Sequence, residues 1–395
     1  MILKSFGVWL LCFFSGGMFF ASSSLADRTS GPSADIPEIH LNSKGFSSSR
    51  QCGQCHKELY EDWRHSLHAD ASGNAVFKAA YMQVYFEQGE SARPACLTCH
   101  APVAYYNNDP KLTQPISREG VSCDFCHSIA EVLPGTAEGP QFRFEFGGLK
   151  QGSLQNSKSP AHQNRFNDLY QQSLFCKGCH EQKNKNGVSM IATWSEWKES
   201  PYSEKGVTCQ KCHMEKIAGK TVASSVQKST RNQISNHDIA AGHSLTKRRQ
   251  ALEIKIVDVE THRNRIRVKV DLTNTGAGHN MPTGLPVKKI ILEVKVQEPN
   301  GSHRQIQQRI YQKVVADAQG RTVTHLVDLM LGKGTKVVSD NRIAPLETRH
   351  ESFTFFIDEP EEQIISAAAY YSYTPEILQP TPIHIKLNEV QRRVR

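Results

Sequence analysis

The chain has 395 residues and a formal charge of +8, with 38% apolar residues, 11 cysteines and 17 histidines. Beyond its first residues, no apolar run approaches the roughly 20 residues that a spanning helix needs, so no transmembrane span is expected in the mature chain. The basic balance comes without the interleaved aromatic and basic residues of a nucleic-acid surface, so no nucleic-acid partner is expected.

Residues 1–26 read as a secretory signal. Lys4 supplies the positive start, Val8 to Phe20 the largely apolar core, and Ser24-Leu25-Ala26 the small-x-small cleavage pattern. The apolar stretch is interrupted by Ser15, Gly16 and Gly17, which argues against a membrane anchor. Cys12 lies inside it, and the large Leu11 before it argues against lipidation. The expected destination is therefore outside the cytoplasm, in the periplasm or on the cell surface. Residues 27–49 follow as a polar leader rich in Ser, Gly and Pro.

Residues 50–246 carry five copies of Cys-x-x-Cys-His: Cys52 to His56, Cys96 to His100, Cys123 to His127, Cys176 to His180 and Cys209 to His213. Each has the pattern by which a c-type haem is attached, and chance would give roughly 0.01 such motifs in this composition. Two thiols three residues apart share one face of a helical turn. There Cys52 and Cys55, Cys96 and Cys99, Cys123 and Cys126, Cys176 and Cys179, and Cys209 and Cys212 are each placed to bond one porphyrin. The His that follows, His56, His100, His127, His180 or His213, then becomes the proximal iron ligand. Zinc ribbons need two Cys pairs per metal and leave one of five unpaired. Disulfides leave the five histidines unexplained. Five covalently bound haem c groups are therefore expected.

The motifs start 44, 27, 53 and 33 residues apart, so they are no fixed-period repeat. A helical patch follows the first, with Leu59, Trp63 and Leu67 on one face. Residues 139–160 and 216–236 read as polar, breaker-rich connections. A chain so rich in loops buries little by itself, so the haems, at about one per 40 residues, are expected to supply the apolar interior. They also change the charge. Without Lys4, and with two propionates per haem, five ferric haems leave about +2 and five ferrous haems about −3.

Five further histidines are candidate distal ligands: His68 in the helical patch, His162 in SPAHQ, His237 and His243 in SNHDIAAGHS, and His279 in TNTGAGHNMPTGLP. His65 lies one turn before His68 and reads as solvated. His279 reads either as a turn residue or as a ligand tying the following region to the haems, with Met281 the poorer alternative. Five candidates for five irons make an all bis-histidine, low-potential protein the expectation. Electron transfer to redox partner proteins, other cytochromes or a quinol-linked donor, then follows, with no catalytic side chain. The alternatives are an oxidoreductase acting on a small nitrogen or sulfur compound at one five-coordinate haem, and a homo-oligomer whose subunits polymerise into a haem wire.

From about residue 247 the pattern changes. Segments 252–260, 265–275, 288–298, 304–316, 349–359 and 364–373 alternate with period two or run β-branched, with turn chemistry such as Pro299-Asn300-Gly301 between them. Without cysteine, residues 247–395 read as an antiparallel β-sandwich ending in a solvated tail, QRRVR. The fold class expected is α+β in two domains: a mostly helical and loop haem domain wrapped around five haems, then the sandwich.

The order C-x-x-C-H…Y-x-x-W-x-x-S-x-H-A from Cys52 to Ala69 resembles multihaem c-type cytochromes of the kind used in ammonia oxidation, as do GVSCDFCHSI (Gly120 to Ile129) and W-x-x-S-P-Y…GVTCQKCHM (Trp197 to Met214). That family includes the tetrahaem partner of hydroxylamine oxidoreductase, with that octahaem enzyme and pentahaem nitrite reductase as more distant relatives. The resemblance implies short helices, closely packed haems and mostly bis-histidine iron, with His68, His162, His237 and His243 at distal-ligand positions. AGHNMPTG and DNRIAPLETRHESFTF resemble the β domain fused to some multihaem cytochromes. This chain has five motifs rather than four, and no Cys-x-x-Cys-Lys, the mark of a catalytic haem in many pentahaem nitrite reductases.

Overall fold

The computed structural model describes residues 39–394 except 137–138, 229–230, 299, 302–303 and 359–360. The expectations for residues 1–26, for 27–38 and for Pro299 lie outside the described residues. Residues Pro37–Arg395 form one compact unit of mixed α and β structure, helical and loop-rich first and β-rich afterwards.

Each motif forms a short helix, and in two of the five the serine before it supplies a side-chain cap. Ser48 caps Ser49–Cys55 by accepting from the N–H of Arg50, and Ser122 caps Cys123–His127 by accepting from the N–H of Phe125. Thr208 and Ser173 stand at the same position before Cys209–His213 and Leu174–His180, and Arg93–His100 completes the set. Caps of this kind satisfy N–H groups that the first turn leaves free. The helical patch is shorter than its periodicity predicts. It runs Lys57–Arg64 and buries Trp63, but Leu67 is 49% exposed because the chain turns at His65, whose N–H bonds back to the carbonyl of Asp62 while that of Ser66 bonds back to Trp63.

The segments read as breakers hold short strands. Ile129–Thr136 pairs with Gly139–Phe144, and Lys216–Ala218 with Gln233–Ser235. The first hairpin delivers Phe142 and Phe144 to a cluster with Phe46, Tyr106 and Phe125, in which Phe46 and Phe144 meet edge-on at 5.3 Å. Six aromatic-rich residues over a polar-looking stretch escaped the period-two search because the hairpin is irregular, with register shifts at both ends.

The helix Leu245–Ala251 leads straight into the β-rich region. Its strands are β1 (Leu252–His262), β2 (Arg265–Asn274), β3 (Lys289–Gln297), β4 (Arg304–Tyr311), β5 (Lys313–Ala316), β6 (Lys336–Asp340), β7 (Thr348–Phe356), β8 (Ile364–Tyr373) and β9 (Ile383–Arg393). They pair as two antiparallel sheets, β7-β2-β1 and β4-β3-β8-β9, with β5-β6 a separate hairpin. On β2 the alternation is complete: Ile266, Val268, Val270, Leu272 and Asn274 are buried, and the residues between them are not. These side chains share one core with Ile290, Leu292, Val294, Phe353, Phe355 and Ile365 from the other strands. Polar side chains tie the sheet edges together. Gln305 and Gln307 of β4 donate to the carbonyls of Phe356 and Thr354, and Asn388 of β9 donates to that of Leu252.

Two expectations are corrected here. The run 304–316 is two strands, because Asn341 accepts from the N–H of Gln312 at 2.7 Å and donates to the carbonyl of Ile310 at 2.8 Å, breaking the ladder between β4 and β5. The terminal QRRVR is no free tail. Gln391, Arg392 and Arg393 pair with β8 while Val394 is buried, so backbone pairing wins although the charged side chains stay in solvent.

Candidate haem-attachment and iron-ligand site

Four of the five motif histidines face a second imidazole. His56 stands 6.0 Å from His162, His180 6.3 Å from His68, His127 6.4 Å from His237 and His213 6.5 Å from His279, between ring centres. Two imidazoles that share one metal are expected about 6.3 Å apart, from metal–nitrogen bonds of ~2.0–2.1 Å and ~1.1 Å from each nitrogen to its ring centre. The residues present therefore fit an iron held between each pair.

The tautomers agree. A carbonyl oxygen only accepts, so a ring nitrogen bonded to one carries the proton and leaves the other with a free lone pair. Nδ1 of His56 donates to the carbonyl of Thr221, that of His127 to Gln151 at 2.6 Å, that of His213 to Ala240 at 2.7 Å and that of His100 to Ala71 at 3.3 Å. On the opposite side, Nδ1 of His237 donates to Ser235 at 2.7 Å, of His279 to Asn280 at 3.1 Å and of His162 to Gln163 at 3.3 Å. Each thus presents Nε2, the arrangement usual for metal-bound histidine. Burial also lowers the pKa of His68 and His127 to about 4 and that of His180 to about 3, and lowers those of His100, His162, His213, His237 and His279. These imidazoles are neutral at pH 7, as ligation requires.

Backbone geometry fixes several of them. Gly120 has φ +62°, and a Cβ there would lie 2.3 Å from the carbonyl oxygen of His68, so only glycine lets this segment run against the His68 turn. Val121 donates to that same carbonyl at 2.9 Å. His162 follows Ser159, whose hydroxyl accepts from the N–H of Ala161 and of His162. His279 lies between β2 and β3, where the buried Asn274 donates to its carbonyl at 2.9 Å.

The thiols also converge. Cys52 and Cys123 lie within hydrogen-bond reach of one another, as do Cys99 and Cys179, and Cys176 and Cys209. Attachment sites one and three, two and four, and four and five are therefore neighbours. Burial pushes the Cys96 and Cys126 thiols up to about 12, which keeps them un-ionised. Cys55 and Cys212 are raised by burial as well.

His243 and His100 are placed differently. His243 turns Nε2 to Asp238 Oδ1 at 3.1 Å, and its Nδ1 is buried without a hydrogen-bond partner. It faces no motif imidazole. His100 stacks on Phe77 at 4.5 Å, and among the described residues no second imidazole is brought opposite it. Sequence reasoning also missed Glu196, which holds the His279 loop. It stands one residue before the W-x-x-S-P-Y motif, and no pattern in the sequence marked it.

Residues 51–128 match the family model for cytochrome c554 and c-prime. The chain is similar in structure to a penta-heme cytochrome c552 from Thermochromatium tepidum, with 21% identity and a TM-score of 0.69 over 88% of this chain and 99% of that one. The fold is a multihaem cytochrome fold. A putative ApaA protein from Bordetella pertussis aligns over 36% of this chain at 13% identity with a TM-score of 0.18, too low to bear on the argument. No curated protein matches. The family match spans the first three Cys-x-x-Cys-His motifs, and the fold is shared with that penta-heme cytochrome over nearly its whole length. Among the described residues, no helix is long and apolar enough to cross a membrane.

Proposed function

We propose that this chain is an exported pentahaem c-type cytochrome that passes electrons between redox partner proteins. The observation that carries the reading is the set of four imidazole pairs, each joining a motif histidine to a histidine distant in sequence at 6.0–6.5 Å. The haems supply reversible one-electron chemistry when bound, and the polypeptide's part is to attach, ligate and bury them. Paired cysteines fix each porphyrin in place. The four imidazole pairs would hold the iron, and the carbonyls bonded to Nδ1 keep those rings oriented. The contacts between Cys52 and Cys123, Cys99 and Cys179, and Cys176 and Cys209 bring together attachment sites one and three, and sites two, four and five, which favours relay within each group. We read residues 50–246 as the haem domain and 247–395 as a β-sandwich fused to it. Mass spectrometry of the mature protein is expected to give five haems, and electron paramagnetic resonance mostly low-spin iron. Two haems or fewer would sink the proposal.

A second reading has a specific observation behind it. At the second motif His100 would hold the iron without a facing imidazole, while His243, the remaining candidate, is turned to Asp238. An open position there suits an oxidoreductase acting on a small nitrogen or sulfur compound. Carbon monoxide titration separates the readings: one haem in five binding it supports this site, and none removes it.

A further inference from the structure

The loop that carries His279 is gripped from two sides. From within the β-rich region, Asn274 Nδ2 donates to the carbonyls of His279 at 2.9 Å and Ile343 at 3.1 Å, and its Oδ1 accepts from the N–H of Ala277 at 3.1 Å. From the motif-bearing side, the helix Thr193–Lys198 presents Glu196. Its Oε2 accepts from Thr283 Oγ1 at 2.7 Å and from the N–H of Asn280 at 3.3 Å. Its Oε1 accepts from Arg342 Nη1 at 2.6 Å, and the same Nη1 donates to the carbonyl of Pro282 at 3.2 Å. Asp340 takes the other edge of the guanidinium with two contacts of 2.8 Å. Glu196 and Arg342 are 7% and 4% exposed, so neither charge has water to fall back on. Removing one partner of such a pair strands the other in a low-dielectric interior.

Asn280 is the residue next to the ligand, and its carbonyl is what His279 Nδ1 binds. The contact from Glu196 to its N–H therefore acts on the residue that orients the imidazole. Nearby, Tyr202 donates its hydroxyl to the carbonyl of Thr275 at 2.8 Å, and a Cβ on Gly278 would already touch the Tyr202 ring at 3.4 Å.

We propose that Glu196, locked by Arg342, is a positioning residue that holds His279 across from His213, so that one iron keeps its distal ligand only while the two regions of the chain stay latched. The proposal rests on the reading of His213 and His279 as ligands of one iron.

The test uses full-length, haem-loaded protein with three variants: Glu196→Ala, Thr283→Val and His279→Ala. Haem stoichiometry, low-spin resonance signals and carbon monoxide titration are read for each. Glu196→Ala is expected to keep every covalent haem yet bind carbon monoxide at one more haem per chain than the parent, with added imidazole restoring the low-spin signal. Thr283→Val, which removes the hydroxyl contacts to Glu196 and Thr193 and no charge, is expected to bind carbon monoxide at the same haem with lower occupancy. Unchanged spectra in Glu196→Ala overturn the proposal. If that variant does not fold, unchanged carbon monoxide binding in Thr283→Val overturns it instead. His279→Ala separates the two claims: a new carbon monoxide site there with none in the other variants sinks the positioning role alone, and no new site sinks the ligand assignment on which it stands.

Discussion

The motif-bearing and β-rich regions are held together by different chemistry. The β-rich region has a protein-made interior, a single cluster running from Leu252 through Phe353 and Phe355 to Leu387 and Val394. The motif-bearing region has smaller clusters, around Phe46 and Phe125 and around Tyr81 and Leu97, and shares others with the β-rich region, where Val188 and Met190 meet Val315 and Leu329 and Val84 meets Val327. Its buried polar residues are mainly serines and aspartates that tie loops down. Ser49 Oγ accepts from the N–H of Cys123, Ser173 Oγ from that of Cys209, and Asp124 from that of Ser47. Hydrogen bonds of this sort contribute about 1 kcal/mol each net, and they fix geometry better than they drive collapse. One region carries its own driving force for folding, and the other fixes the positions of groups that must be added to it.

The largest effect expected from this contrast is on haem-free protein. Chain made without haem attachment should show fast hydrogen exchange and easy proteolysis across residues 50–246, while 247–395 stays protected. A haem-free chain protected throughout would break the comparison. Next, Phe355→Ala empties a fully buried position in the β core and should cost about 3–5 kcal/mol in denaturant unfolding, with haem stoichiometry unchanged. Gly120→Ala is expected to act the other way round. It forces a Cβ against the His68 carbonyl at φ +62°, so it should destabilise by about 1 kcal/mol or more and disturb the low-spin signal of one haem, leaving the β-rich region unmoved.

The smallest effect concerns acid. Burial by itself would raise the Asp109 carboxyl, but the N–H groups of Gln114 and Thr113 and the hydroxyls of Ser117 and Thr113 outweigh it and hold it at about 2. A carboxyl whose folded pKa lies below its unfolded 3.8 contributes stability that is complete above pH 3.8 and lost as pH falls towards about 2. Asp109→Asn should therefore flatten the pH dependence of unfolding in that window, read by circular dichroism, and leave it unaltered at neutral pH.

Much of the β-rich region was legible because period-two alternation is a local signal. β2 shows it at every position, and β8 follows its predicted span of 364–373. β9 was missed because its pattern is diluted by Asn388, Glu389 and the terminal arginines, and only its pairing with β8 makes it a strand. The aromatic hairpin Ile129–Phe144 hid for a similar reason, since its register is irregular and its partners, Phe46 and Tyr106, come from elsewhere. His68, His162, His237 and His279 were legible as candidates from their contexts. Which motif each one meets was not.

The sequence by itself determined where thiols and proximal imidazoles fall, because the spacing of Cys-x-x-Cys-His needs only one helical turn to bring them to a common face. Which imidazole stands opposite each of them was decided by tertiary structure alone. Those pairs join residues far apart along the chain, brought to 6.0–6.5 Å by the packing of segments that are not neighbours in sequence, as where Gly120 lets its segment run against the His68 turn. His243, by contrast, turns to Asp238 five residues before it, a contact made within SNHDIAAGHS itself.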